Sequence, residues 1–224
     1  MKHLLLFASA EALRIEIVDT TTKAWDGDKC TYNQRRLDDP NTNSTWNRFR
    51  NSTSEYTDSS FPPNSNMLYW KENLAGSVGG NGSDVIRGMR HRIVAFKRPS
   101  QIVNSPSLWG KKGVLPAGVR QGSLGDCWLL AALSALAEYP ERIHAIFTGG
   151  FTPSGIMQLN FYERGMKKTF NMDDKLPVNS RGSLPLAKRS LNGAFWVPLL
   201  EKAMAKFNVN YVQLNGGNEY LAWR

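Results

Sequence analysis

The sequence predicts an α+β fold made of a central buried helix, flanking helices and a small β-hairpin. The central helix is indicated by an uninterrupted run of helix-forming residues from Trp128 to Ala137, which follows a loop with two glycines. The hairpin is indicated by two segments between residues 156 and 172 in which apolar and polar residues alternate. Apolar residues at helical spacing after Phe195 indicate a further helix. The two periodicities, 3.6 and 2, distinguish the helices from the strands.

Residues 1–55 are predicted to be an N-terminal extension that is partly flexible. Residues 26–54 are rich in Asp, Asn, Ser and Thr, a composition that buries little apolar surface and favours a flexible segment or a linker. The chain begins with a basic residue and a short apolar run. This run is at the lower limit for a secretory signal, and we favour an ordinary strand or helix start. No run approaches the roughly 18 apolar residues that span a bilayer.

Between residue 56 and the central helix the sequence predicts extended segments and loops. Pro62 and Pro63 impose an extended course, and residues 93–102 predict a strand that ends at Pro99. The glycine-rich run at 76–83 lacks the Gly-Lys-Ser/Thr ending of a phosphate-binding loop. We therefore expect no nucleotide site there.

A tight loop is predicted to lead directly into the central helix. Gly122 and Gly125 permit sharp turns or positive φ angles. Ser123 or Asp126 has the short, oxygen-bearing side chain that caps a helix N-terminus. The residues that follow are apolar nearly all round the helix, so the helix is expected to lie in the core.

Cys127 falls in the first turn of this helix. The positive end of the helix dipole stabilises a thiolate there, which makes the sulfur available as a nucleophile. The alternative is that Cys127 is a small buried apolar residue, the usual environment of a free cysteine. Gln121 favours the nucleophile, because its amide and the Cys127 backbone N–H would form a two-donor oxyanion hole for acyl transfer.

After the central helix the sequence predicts the hairpin and then the last helix. Residues 156–162 and 168–172 alternate on either side of a turn at 163–165, as in an antiparallel strand pair. The last helix begins near Phe195 with Pro198 in its first turn, where the missing N–H costs nothing. Its apolar positions are predicted to be core: Leu199, Leu200, Ala203, Met204 and Phe207.

The run Gln-Gly-Ser-Leu-Gly-Asp-Cys-Trp-Leu-Leu-Ala-Ala at residues 121–132 closely resembles the nucleophile segment of calpain-type cysteine peptidases, a branch of the papain-like group. Residues 56–68, 98–102, 173–177 and 195–206 also resemble segments of the calpain protease core. The resemblance implies a papain-like nucleophile subdomain over residues 56–224. It assigns Cys127 as the nucleophile and Gln121 as the oxyanion donor of an endopeptidase that works through a thioester.

A cysteine nucleophile needs a histidine to carry the proton and an Asn or Asp to orient that histidine. His3, His91 and His144 are the histidines of the chain, and none matches the family's motif. In calpains these partners lie on a second, strand-rich subdomain, and this chain ends near where that subdomain would begin. We therefore expect the Cys-bearing half of a catalytic domain, either a fragment or an incomplete gene model, that is inactive alone.

The resemblance also bears on calcium. Calcium-responsive calpains place carboxylate ligands at positions that correspond to Gly118 and Ala194, and neither residue has a side chain that coordinates a hard cation. We expect no cofactor and no family calcium site. Asp173 and Asp174 form the remaining acidic pair, with a solvated turn as the favoured interpretation and a metal site as the weaker one.

The chain has 224 residues and a formal net charge of +9. Its basic residues form scattered pairs and not a stripe, so no nucleic-acid partner is expected; the charge favours acidic proteins or anionic membranes as partners beside protein substrates. The two cysteines, Cys30 and Cys127, indicate no disulfide framework, which predicts an intracellular, cytoplasmic setting. The alternatives to a peptidase are a non-catalytic interaction protein on a calpain-like scaffold and a thiol-dependent transferase.

Overall fold

The computed structural model describes residues 39–69, 87–89, 92–163 and 165–217. The predictions for the signal-like start, the glycine-rich run, His3, His91 and Cys30 concern residues outside these ranges. None of the helices in the described ranges is long and apolar enough to cross a membrane.

The described residues form an α+β fold, as predicted. Two antiparallel strand pairs, β1 with β4 and β2 with β3, are combined with helices that fill most of the core. The helices and strands, in chain order, are α1 Thr42–Phe49, α2 Ser65–Leu68, β1 Ala95–Lys97, α3 Pro99–Ile102, α4 Cys127–Leu136, α5 Pro140–Ile146, β2 Ile156–Glu163, β3 Met166–Asp173, β4 Leu176–Val178 and α6 Trp196–Phe207. Two 3-10 helices, Pro116–Gly118 and Tyr211–Leu214, complete them.

Helix α4 begins at Cys127, and Pro140 starts the next helix, α5, after a short turn. Helix α4 lies in the core, as predicted, but one of its faces is open to solvent. Its large side chains are buried, but Cys127, Ala131 and Ala135 form an exposed face. Alanine is apolar yet small, so its exposure costs little, and composition alone does not show which face of an apolar helix is covered.

Helix α6 is the most deeply enclosed helix, because every one of its twelve residues is buried. The prediction that its apolar positions belong to the core is confirmed. The helix also buries three charged residues, Glu201, Lys202 and Lys206. Each of them must therefore find a partner inside the protein, since an unpaired buried charge is costly.

The hairpin of β2 and β3 follows the predicted pattern. Its register runs from Ile156 opposite Asp173 to Glu163 opposite Met166, and the turn lies where the sequence placed it. Met157, Leu159 and Phe161 are buried on one face. The other face is also buried near the open end of the hairpin, because α1 lies across it.

Helix α1 differs from the prediction that the polar N-terminal segment is flexible. Its first residue, Thr42, is buried, and the Asn171 side-chain amide donates a hydrogen bond of 2.7 Å to the Thr42 carbonyl. Gln158 in turn donates to Asn171 Oδ1 at 3.2 Å. The helix is polar because it covers a polar part of the hairpin, which a hydrophobicity pattern cannot recognise.

Strand β1 begins two residues later than predicted, and it ends before Pro99, as predicted, where the chain turns into α3. The preceding residue, Arg98, directs its guanidinium towards Asp174, with Nε 3.0 Å from Oδ1. The same guanidinium donates to the carbonyls of Pro153 and Thr152 at 3.1 and 3.2 Å. Arg98 therefore ties the end of β1 to the segments that flank both strands at the open end of the hairpin.

Candidate active site

Cys127 is the first residue of α4, and it is exposed. The next residue, Trp128, is buried, and its indole Nε1 donates to the Leu214 carbonyl at 2.9 Å. The helix start is thus anchored on one side while the cysteine faces outward on the other. An exposed thiol at this point does not fit the alternative of a buried apolar cysteine.

Neither of the predicted capping side chains caps α4. Asp126 occupies the N-cap position, but its side chain makes no capping hydrogen bond. The Ser123 hydroxyl donates instead to the Pro185 carbonyl at 3.0 Å. These two residues therefore leave the first-turn N–H groups without a side-chain acceptor, as an oxyanion site at this helix end requires.

The glycines of the nucleophile loop are needed for close approach and not for positive φ, which neither adopts. A Cβ on Gly122 would overlap the backbone carbonyl of Leu186. A Cβ on Gly125 would lie 2.7 Å from the side-chain oxygen of Asn215. Glycine is therefore required at these positions by close packing and not by a positive φ angle. The packing partners lie in segments more than 60 residues away.

The same contacts hold the loop between two later segments of the chain. On one side, Ser123 N donates to the Pro185 carbonyl at 2.9 Å. On the other side, Gly125 N donates to Asn215 Oδ1 at 3.1 Å, and Gly216 N donates to the Gly125 carbonyl at 2.8 Å. The loop conformation before Cys127 is therefore fixed from both sides.

Gln121 lies at the start of this loop and is exposed. Its side-chain Nε2 donates to the Leu124 carbonyl at 2.8 Å. An amide nitrogen carries two hydrogens, so this bond orients the amide over the loop and leaves one donor for a ligand. The arrangement is compatible with the predicted oxyanion role, which stays a prediction.

The described residues bring no histidine to Cys127. His144, the histidine among them, is exposed on α5 and packs edge-on against Trp109, with ring centroids 4.4 Å apart. Trp109 also contacts Phe147. His144 is therefore part of a surface aromatic cluster, in line with the expectation that it is not the base.

A pair of buried carboxyl groups, which sequence reasoning missed, lies behind the nucleophile. Asp126 and Glu201 are 0% and 1% exposed, and both oxygens of Glu201 accept from the Ala187 N–H, at 2.9 and 3.0 Å. Burial raises the pKa of Asp126 to about 6. Burial and the neighbouring Asp126 charge raise the pKa of Glu201 well above its usual value. The only sequence signal was one acid in an otherwise apolar stretch of α6, and its partner lies 75 residues earlier.

Asp173 is not part of a solvated pair, contrary to the favoured interpretation of the sequence. It is 0% exposed and accepts a hydrogen bond of 2.6 Å from the buried ammonium of Lys202. Asp174 is also buried and is engaged by Arg98. Both carboxylates are therefore occupied by internal cations that the sequence pattern did not connect to them.

A second buried ion pair fixes the segment before α2. Lys206 Nζ lies 2.6 Å from Asp58 Oδ2 and donates to the Asn171 carbonyl at 2.6 Å. The other Asp58 oxygen accepts from Ser60 and from the Phe61 N–H. These bonds hold the pKa of Asp58 below its usual value although burial opposes ionisation.

The positions that correspond to the family's calcium ligands, Gly118 and Ala194, carry no carboxylate. Gly118 is buried, and a Cβ there would lie 3.2 Å from Ser190 Cβ. Ala194 is 0% exposed, and its N–H donates to the Ser190 hydroxyl at 2.8 Å. The described residues contain no group of three or more His, Cys, Asp or Glu side chains arranged to hold a metal ion. The two segments meet through the Lys188 N–H, which donates to the Arg120 carbonyl at 2.9 Å, and the Asn192 side-chain amide, which donates to the Gly113 carbonyl at 3.0 Å.

The site consists of an exposed cysteine at the start of a helix and a preceding glycine loop that carries a glutamine. In an α+β fold, this combination is that of the papain-like cysteine peptidases. Within that class, a family model described as calpain family cysteine protease matches residues 56–223. The chain therefore belongs to the calpain family of cysteine proteases.

Individual relatives agree with the family match. The calpain-1 catalytic subunit of Rattus norvegicus is 32% identical over 168 residues, and that of Homo sapiens is 31% identical over 169 residues. The alignments cover 72% and 73% of this chain but 22% of each relative. Calpain-12 of Mus musculus is 34% identical over 131 residues, which is 56% of this chain and 18% of the relative. The chain thus spans about a fifth of the length of these relatives.

Proposed function

We propose that this chain carries the nucleophile subdomain of a cysteine endopeptidase and that Cys127 is the attacking residue. The observation that supports the proposal best is the exposed Cys127 at a helix start that Ser123 and Asp126 leave uncapped. The helix dipole favours the thiolate there. The proposed substrates are proteins.

In the proposed reaction, the Cys127 thiolate attacks the carbonyl carbon of the scissile peptide bond. The negative charge that develops on the carbonyl oxygen is held by the Cys127 N–H and the Gln121 amide. When the tetrahedral intermediate collapses, the C–N bond breaks, the amine leaves with a proton, and a thioester to Cys127 remains. Water then hydrolyses the thioester. The proton transfers need a histidine from a second subdomain, so we expect no peptide cleavage by these 224 residues alone.

Acylation by an activated ester tests the two roles separately. A p-nitrophenyl ester needs no protonation of its leaving group, so Cys127 should release one equivalent of nitrophenolate without a histidine. The Gln121→Ala variant should acylate at least about tenfold more slowly, because it loses an oxyanion donor. Its alkylation by iodoacetamide should be unchanged, since that displacement forms no oxyanion.

A Cys30→Ser background restricts both reactions to Cys127, and Cys127→Ala gives the blank. Iodoacetamide should alkylate Cys127 faster than a cysteine in an unstructured peptide. Equal rates would contradict an activated thiolate and would favour the non-catalytic scaffold. If the Gln121→Ala substitution lowered the acylation rate and the alkylation rate by the same factor, Gln121 would only support the loop.

We also propose that this subdomain works without a calcium ion of its own. The support is that Gly118 and Ala194 carry no carboxylate and that both lie against Ser190, which leaves no room for a longer side chain at Gly118. Calorimetric titration of residues 56–224 with Ca²⁺ should give no saturable binding in the micromolar range. A saturable micromolar isotherm would contradict the proposal.

The proposed location is the cytoplasm, where a reducing setting would preserve the exposed thiol of Cys127. The net charge of +9 supports acidic proteins or anionic membrane surfaces as further partners. Nucleic acid is not proposed as a partner, because the basic residues form no continuous stripe.

A further inference from the structure

Two exposed loops meet beside the nucleophile loop, one before Gln121 and the other before α6. The Lys188 N–H donates to the Arg120 carbonyl at 2.9 Å, and the Lys111 N–H donates to the Asn192 carbonyl at 3.1 Å. These bonds make the two loops one continuous surface. Because Arg120 directly precedes Gln121, this surface begins next to the candidate active site.

Basic residues that are scattered along the sequence come together on these loops. There are five of them, which we call the basic loop surface: Lys111, Lys112, Arg120, Lys188 and Arg189. Four are exposed, and Arg189 is half-buried with its guanidinium carbon 5.6 Å from the centroid of the Phe195 ring. The Arg120 side chain lies against the other loop, with Nη1 3.5 Å from the Arg189 carbonyl oxygen.

The two loops carry no acidic residue. Residues 99–125 and 175–200, which contain both loops, have neither Asp nor Glu. Within the part of the chain that the structure describes, the ion pairs are formed by other cations: Arg98, Lys175, Lys202 and Lys206. Exposed basic side chains without carboxylate partners produce a positive potential that attracts anions.

Each loop also exposes a leucine. Leu191 is 84% exposed, and Leu115 is 38% exposed. Leu191 lies in a tight turn closed by two hydrogen bonds, from the Ser190 N–H to the Ala194 carbonyl at 3.1 Å and from the Gly193 N–H to the Ser190 carbonyl at 3.0 Å. The turn therefore presents a large apolar side chain to solvent.

The two leucines belong to the same surface as the cations. Asn192, next to Leu191 in the turn, donates its side-chain amide to the Gly113 carbonyl at 3.0 Å, and Leu115 follows two residues later. Exposed apolar side chains flanked by Lys and Arg are typical of segments that bind anionic membranes. The cations attract the acidic head groups, and the apolar side chains enter the interface.

We propose that the basic loop surface binds anionic lipid bilayers and that Leu191 inserts between the head groups. This inference rests on the anionic-membrane partner proposed above and gives it a site, and it does not depend on the role of Cys127. A bilayer deforms around a protruding leucine, whereas a protein partner would need a matching pocket. Leucine also offers no ring on which a nucleic-acid base could stack.

Co-sedimentation of the full chain with lipid vesicles tests the electrostatic part of the proposal. The protein should bind phosphatidylcholine vesicles that contain about 30 mol% phosphatidylserine, and it should bind pure phosphatidylcholine at least about tenfold more weakly. The double variant Lys111→Gln, Lys112→Gln should bind the anionic vesicles about 25-fold more weakly, at about fivefold for each lysine. Lys167→Gln is the control, because Lys167 is exposed on the β2–β3 hairpin, and it should weaken binding by no more than about twofold.

The insertion of Leu191 is tested without a change of charge. Leu191→Ser should weaken binding about fivefold, because part of the leucine surface stays in water, while Met166→Ser, at a 60% exposed position of the hairpin, should have no effect. For a direct readout, Leu191→Cys in a Cys30→Ser, Cys127→Ala background carries a polarity-sensitive fluorophore. Its emission should shift to the blue when anionic vesicles are added, and that of the same label on Lys167→Cys should not.

The outcomes separate the site from the partner class. Equal losses per lysine in Lys167→Gln and in the loop variant would overturn the site and leave only an attraction by net charge. Unchanged binding of Leu191→Ser without a blue shift would overturn the insertion. Binding to soluble polyglutamate but not to vesicles would overturn the membrane and assign the surface to an acidic protein. None of these results bears on the acylation test of Cys127.

Discussion

At the scale of single residues, the two glycines of the nucleophile loop illustrate how a function depends on a missing side chain. Gly122 touches the Leu186 backbone, and Gly125 touches the Asn215 side chain. Neither glycine is required by its φ angle. The loop reaches its position before Cys127 only because two other segments can approach its backbone closely.

A Gly122→Ala substitution should therefore lower the free energy of unfolding by about 1–3 kcal/mol, the usual range for overpacking. The obstacle is a backbone carbonyl, which cannot rotate away as a flexible side chain can. Chemical denaturation of the full chain measures the loss. Gly150→Ala is the matched control, because nothing lies within 4 Å of a Cβ at Gly150. Equal effects of the two substitutions would show that the close approach at Gly122 is unimportant.

At the scale of secondary-structure elements, helix α6 organises its surroundings through its charged residues as well as its apolar ones. Lys206 reaches Asp58 before α2, and Lys202 reaches Asp173 at the end of β3. Glu201 accepts hydrogen bonds from the Ala187 N–H on the loop before α6. One helix therefore fixes three separate segments, each by a buried polar contact that fails if one partner is removed.

A Lys206→Met substitution should cost about 3–5 kcal/mol of unfolding free energy, because it leaves the Asp58 carboxylate buried without its cation. Glu55→Gln is the control, since it breaks the ion pair between the exposed Glu55 and Lys175. That pair should contribute no more than about 1 kcal/mol. Urea denaturation of both variants gives the comparison, and a loss below about 1 kcal/mol for Lys206→Met would argue against the stabilising role of the buried pair.

At the scale of the whole molecule, the pH dependence of stability is determined by buried carboxyl groups whose pKa values are shifted in opposite directions. The pKa of Asp126 is raised to about 6 in the folded protein, so its contribution to stability is fully present below the unfolded value near 4 and is lost as the pH rises through about 6. The pKa of Asp58 is lowered, so its contribution is present above that unfolded value and is lost as the pH falls through its folded value.

The thermal unfolding midpoint should therefore be highest near pH 4–5. A shift of about two pKa units in Asp126 corresponds to about 1–1.5 kcal/mol between pH 5 and pH 7.5, because the rest of the loss falls between pH 4 and pH 5. For a protein of this size that is about 2–6 °C in Tm. Scanning calorimetry from pH 3 to pH 8 measures the curve, and Asp126→Asn should remove most of the decrease above pH 5. A midpoint that rises steadily from pH 5 to pH 7.5 would contradict this assignment.

The sequence by itself determined the α+β class, the start of helix α4 at Cys127, the hairpin with its turn, and the family resemblance. These features depend on local periodicity, on glycine and proline, and on a contiguous motif, all of which lie within a few residues of one another. Cys127 and Gln121 could be named as candidates for the same reason.

Only the tertiary structure decided the environment of the charges and the packing of the polar segments. Asp126 and Glu201 are 75 residues apart in the chain, and Asp58 and Lys206 are 148 apart. A pattern of single residues cannot show which of them meet, and burial turns an ordinary surface charge into one that needs a specific partner. For the same reason the sequence did not indicate helix α1, since its contacts are polar and come from the distant hairpin.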